Sequence, residues 1–139
     1  MNVDDISDEE VRIEGDKLEA IFDRQRELME KYDEIEEQNE LLQTADVPVD
    51  LNSHLGQARL KDFAWRITEE LGEAMNCLKN KPWKTTQMLT DQTHYLEELA
   101  DAFHFMIELM ILSGLDAESL TQIYLKKSLV NKFRQRSKY

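Results

Sequence analysis

Residues 57–78 read QARLKDFAWRITEELGEAMNCL, with Leu60, Phe63, Ala64, Ile67, Leu71, Ala74, Met75 and Leu78 recurring at spacings of three and four. A stripe of that period lies along one side of a helix, so the stretch predicts a core-facing helix over 57–78. The same period recurs on both sides of it. Upstream, Leu18, Ile21, Phe22, Leu28, Met29, Tyr32, Ile35 and Leu42 form an interrupted stripe among many charges, which predicts a long polar helix over residues 16–42. Residues 44–56, with Pro48, Asn52, Ser53 and Gly56, read as the loop between the two. Downstream, residues 79–90 interrupt the pattern through Asn80, Pro82 and paired threonines. Asp91 is placed to cap a third helix that runs to Leu112 before Ser113 and Gly114 end it, and Asp116 to cap a fourth over 117–135. The second half of the third helix, from Phe103 through Leu112, is apolar nearly all round. It is therefore either central or buried between subunits.

Only four Gly and two Pro interrupt the chain, and no strand pattern or repeat is present. The expectation is an all-α bundle of about four main helices in a single domain, 1–139, with residues 1–15 a flexible acidic N-terminus. Ser7 and Glu10 can form a capping box for a short leading turn there. With 139 residues, 41% of them hydrophobic, the chain can bury one modest core. The formal net charge of -12 would repel a nucleic-acid backbone, so no nucleic-acid partner is expected. The basic residues gather near the C-terminus as Lys126, Lys127, Lys132, Arg134, Arg136 and Lys138. No run of apolar residues is long enough to suggest a membrane partner. The single cysteine, Cys77, has no partner for an intramolecular disulfide, which fits a reducing, cytoplasmic setting.

Chemistry enters through acidic pairs. Glu69-Glu70-Leu71-Gly72-Glu73 places Glu70 and Glu73 on one side of the second helix, and Glu98-Leu99-Ala100-Asp101 does the same on the third. In a chain with 29 acidic residues, either pair alone is the pattern of a solvated face. The two helices are joined by a short connection, however, and an antiparallel arrangement would bring the pairs together. Carboxylates facing one another repel unless a cation compensates, and oxygen-only ligands suit Mg²⁺, with Mn²⁺ a substitute. On the fourth helix Tyr124, Lys127, Asn131 and Arg134 share a face. That face can hold phosphate oxygens through charge-assisted hydrogen bonds, or it can be a solvated basic end that complements the helix dipole.

These residues resemble the signature of the all-α nucleoside triphosphate pyrophosphohydrolase superfamily, which groups MazG-like enzymes, dimeric dUTPases and phage dCTP/dUTP pyrophosphatases. The pattern is EExxE followed by ExxD, here Glu69 to Glu73 and Glu98 to Asp101, with Pro82-Trp83-Lys84 between them, His104-Phe105 after the aspartate and Lys127, Asn131 and Arg134 near the end. It extends over residues 57–139. In the first helix Phe22-x-x-Gln25-x-x-Leu28 is similar to the glutamine motif of the dUTPase branch, although Met29 stands where that branch usually has asparagine, a departure that bears on uracil selection. The single set of motifs and the short length resemble a compact phage or bacterial member.

The resemblance implies a Mg²⁺-dependent enzyme that cleaves a nucleoside triphosphate, such as dUTP or dCTP, to monophosphate and pyrophosphate. It implies Glu70, Glu73, Glu98 and Asp101 as metal ligands and Glu70 as general base, with Glu69 the alternative. Lys127, Asn131, Arg134 and Lys84 would hold phosphates. Gln25, Trp83, His104 and Phe105 are the candidates for contact with the base, though Trp83 and Phe105 can equally fill the core, the better reading for Phe105, and His104 can be an interior histidine. A homodimer or homotetramer is implied as well, with sites completed across subunits. Two other readings fit part of the pattern. A carboxylate-bridged di-iron bundle also uses helical glutamate pairs, but needs two Glu-x-x-His motifs where this chain has only Asp101-x-x-His104. An acidic interaction protein or DNA mimic would account for the charge, but not for the Lys127, Asn131 and Arg134 face.

Overall fold

The computed structural model of the chain describes residues 1–38 and 47–137. A short 3-10 turn, Val3–Asp5, precedes four helices: α1 Lys17–Gln38, α2 His54–Asn76, α3 Gln92–Leu112 and α4 Ala117–Arg136. The architecture is all-α, as the spacing predicts. The expected end of the first helix at Leu42 lies outside the described residues, as do Lys138 and Tyr139. None of the described helices is long and apolar enough to cross a membrane.

The ends of the helices follow from local chemistry. Asp16 caps α1 by accepting the Glu19 amide at 3.0 Å, Asp91 caps α3 by accepting that of His94 at 3.1 Å, and Asp116 with Ser119 forms a capping box on α4. At the end of α3 the Leu115 amide reaches back to the Met110 carbonyl and the Gly114 amide to that of Ile111. Gly114 has φ +94, so this is a Schellman ending whose turning residue takes the left-handed region that glycine tolerates. The start of α2 departs from expectation. The helix begins at His54 rather than Gln57, because Ser53 caps it by accepting the Gly56 amide at 2.9 Å. Gly56 is therefore not a helix breaker. A Cβ at that position would collide with the Asp50 carbonyl oxygen, and the absent side chain lets the incoming loop pass against the first turn.

The core gathers Phe22 and Met29 from α1, Phe63 from α2, and Ile107, Ile111 and Leu112 from α3, with Val49 from the preceding loop. The Val49 amide donates to the Leu112 carbonyl at 2.9 Å and pins that loop to the end of α3. The α2–α3 pair is the most extensive packing in the chain, and α1 lies against α3. Thus α3 is central, which accounts for its apolar character. Helix α4 joins the core through Ala117 and Leu120 and packs against α1. Beyond that first turn its apolar residues Ile123, Leu125, Leu129 and Phe133 are exposed.

Candidate active site

Helix α2 buries Phe63, Ile67 and Ala74. Glu70 lies three residues after Ile67 and four before Ala74, so the helix that buries those two also turns Glu70 toward α3. On α3 the same geometry applies to Glu98, four residues before buried Ala102. Phe63, early in α2, meets Phe105, late in the pair, while Glu73 near the end of α2 meets Glu98 near the start of α3. The helices are therefore antiparallel, and they bring Glu70, Glu73 and Glu98 together with one carboxylate oxygen of each within 4.8 Å of the others. Glu73 is exposed, Glu70 half-buried, and Glu98 only 9% exposed.

The electrostatics of this cluster are unfavourable for three ionised acids. Burial and the charges of Glu73, Asp101 and Glu98, with a hydrogen bond to Glu98, push the Glu70 carboxyl up to about 7. Glu98 is also raised, first by burial, then by its hydrogen bond with Glu73 and the Glu73 and Asp101 charges. His94, whose Nε2 is 3.6 Å from Glu98 Oε1, opposes that rise. Glu98 Oε2 is buried and has no hydrogen-bond partner. A buried, unpartnered carboxylate oxygen is costly. An all-oxygen donor set with such an oxygen fits a hard divalent cation that takes a few carboxylates and otherwise keeps water or phosphate ligands. Asp101 is exposed and stands outside the group of three, close enough to act on Glu70 and Glu98 through its charge. Glu69 is exposed on α2 and is not part of the group.

A groove of about 1080 Å³ opens between α1, α3 and residues 10–13, lined by Ile21, Gln25 and Leu28 on one side and Ala100, Phe103 and His104 on the other. Gln25 is 3% exposed, and its Oε1 has no hydrogen-bond partner. His104 Nδ1 donates to the Ala100 carbonyl at 2.8 Å, which fixes the tautomer and leaves Nε2 as the acceptor of the neutral ring. None of the three clustered glutamates lines the groove: at about 100° per residue Ala100, Phe103, His104 and Ile107 lie on the side of α3 away from Glu98, and Asp101, one turn before His104, stands between the two faces. Met29, which replaces the asparagine of the resemblance, is buried in the core.

The other candidates are spread out. Phe105 packs against Phe63 with ring centres 6.1 Å apart, and the Arg66 guanidinium lies over both rings. Trp83, 77% exposed, and Lys84 lie in the α2–α3 connection. Lys127, Asn131 and Arg134 are exposed on α4, whose main helix contact among the described residues is with α1. His94 beside Glu98 was not anticipated, although its position four residues ahead of a glutamate on one helix face was a readable signal.

A family model described as dUTPase matches residues 17–113, which takes in α1, α2, their connections and α3. The chain belongs to the dUTPase family. No curated protein and no solved structure matches it. Membership in this all-α family makes the chain a hydrolase acting on nucleoside triphosphates, in a family that usually uses a divalent metal. The dUTPase match reaches further back than the resemblance over residues 57–139, since it includes the whole of α1 with Gln25. It also stops before α4, so Lys127, Asn131 and Arg134 lie outside it.

Proposed function

We propose that the protein hydrolyses a deoxynucleoside triphosphate, such as dUTP or dCTP, to the monophosphate and pyrophosphate with Mg²⁺, for which Mn²⁺ can substitute. The observation that carries this reading is the meeting of Glu70, Glu73 and Glu98 across two helices, with a buried carboxylate oxygen left unpartnered. Those three residues and Asp101 would hold the cation. Bound there, it would supply a nucleophile at neutral pH and offset the charge of the phosphates.

The chain's own groups divide the remaining work. Glu70 is the candidate to take up a proton from an attacking water, and exposed Glu69 is the alternative acceptor. Gln25 and His104 read the base in the groove between α1 and α3, which Ile21, Leu28 and Phe103 make apolar. Lys84 holds phosphate oxygens from the α2–α3 connection, where Trp83 is a further candidate for contact with the nucleotide. Lys127, Asn131 and Arg134 reach the phosphates from α4 of another copy in a homodimer or homotetramer, an arrangement that also covers Ile123, Leu125, Leu129 and Phe133.

Mn²⁺ titration followed by electron paramagnetic resonance tests the metal assignment directly. Loss of the free-ion signal on adding wild-type protein, but not on adding Glu98→Gln, supports it. Equal uptake by both proteins removes Glu98 from the site.

A further inference from the structure

The connection between α2 and α3 is exposed from residue 78 through 92, so no buried side chain anchors it. Its course rests on polar contacts instead. The Asn80 carboxamide spans the loop: Oδ1 accepts the Met88 amide at 2.7 Å, and Nδ2 donates to the Met88 carbonyl at 3.0 Å. One side chain thus satisfies both backbone groups of one residue, as a neighbouring strand would, which a carboxamide can do because it offers an acceptor and donors side by side. The two bonds close a ring around residues 81–87. Within it the Lys84 amide donates to the Lys81 carbonyl at 3.1 Å, and the Lys81 ammonium lies 5.9 Å from the Trp83 ring centre. The ring also stands at the carboxylate end of the helix pair, since Glu73 is in the last turn of α2 and Glu98 in the second turn of α3.

We propose that Asn80 is a positioning residue, whose carboxamide holds residues 81–87 in the shape that presents Trp83 and Lys84 beside the carboxylate cluster. This rests on the reading of that cluster as a triphosphate site. Asn80 touches no substrate in this account. It removes backbone freedom that the loop would otherwise lose each time a nucleotide binds. Its effect therefore falls on binding and not on the chemical step.

The test compares Asn80→Ala and Asn80→Asp with the wild type in Mg²⁺ and the better substrate of dUTP and dCTP. Removing the clamp is expected to raise KM about tenfold, leave kcat within about twofold, and keep the melting temperature unchanged. Trypsin should cut after Lys84 faster in the alanine variant. Asn80→Asp keeps the acceptor for the Met88 amide but loses the donor, so it should fall between the two on both measures. Wild-type KM with wild-type cleavage in Asn80→Ala overturns the proposal, as does a fall in kcat accompanied by a lower melting temperature. Trp83→Ala and Lys84→Ala separate this failure from that of the underlying reading. If they raise KM while Asn80→Ala does not, the clamp is wrong and the site stands; if they leave KM unchanged while Asn80→Ala loosens the loop, the placement of the site is wrong and the proposal falls with it.

Discussion

In the α2–α3 pair Phe63, Ile67, Ala74, Ala102 and Ile107 are buried, and they determine which acids turn inward. In α4, by contrast, Ile123, Leu125, Leu129 and Phe133 remain exposed, and Lys127, Asn131 and Arg134 are exposed on a helix that packs chiefly against α1. Both regions have helix-spaced charge, but only in the first do buried side chains flank it. An acidic face gathered by packing holds repulsion that a ligand must relieve, whereas an exposed basic face needs a second surface to enclose a ligand.

The largest effect should come from breaking the packed side of this contrast. Glu98→Gln or Glu70→Gln should cut kcat/KM by at least about a hundredfold, near 3 kcal/mol of barrier, while circular dichroism shows the helices intact. Near-normal turnover at saturating Mg²⁺ in both variants would dissolve the cluster as a site. On the α4 side, Lys127→Ala and Arg134→Ala should each lower efficiency about ten- to a hundredfold, and similarly for every accepted base, because phosphates are common to all. Mixing Glu70→Gln with Arg134→Ala protein sharpens the comparison. Random exchange of subunits in a dimer should restore about a quarter of wild-type activity if α4 serves the other copy, since half the dimers are mixed and each has one intact site. No recovery after verified exchange would return α4 to its own chain.

The fold was readable because the apolar period of 57–78 and the capping residues Asp91 and Asp116 are local signals, and packing agreed with them. Gly56 misled because a glycine required for close approach of a loop looks the same in sequence as one that ends a helix. Within the site, the meeting of Glu70, Glu73 and Glu98 followed from helix period and a short connection. Sequence spacing did not reveal that Asp101 stands outside the group, or that Asn80 clasps Met88, because both depend on side-chain direction and loop path. The α4 residues share a face as their spacing requires, yet a shared face says nothing about what lies opposite.

A smaller effect concerns stability without metal. The Glu70 carboxyl is raised from an ordinary 4.5 to about 7, so the folded state holds its proton more tightly than the unfolded chain. Its stabilising contribution is present below about pH 4.5 and is lost as pH rises through about 7. Chelated wild-type protein should therefore lose melting temperature between about pH 5 and pH 8 relative to Glu70→Gln, and Mg²⁺ should narrow that gap. Parallel pH profiles for the two proteins would show that the crowding at Glu70 has no energetic consequence. Gln25→Ala should shift the ranking among bases more than the total rate, read from kcat/KM on dUTP and dCTP.

The most direct test of the central claim is phosphorus NMR of the products formed from dUTP, dCTP, dATP and dGTP with Mg²⁺ and with excess chelator. Monophosphate and pyrophosphate are expected from at least one of them in Mg²⁺, with no turnover in chelator. Diphosphate with orthophosphate, or full activity in chelator, would contradict it.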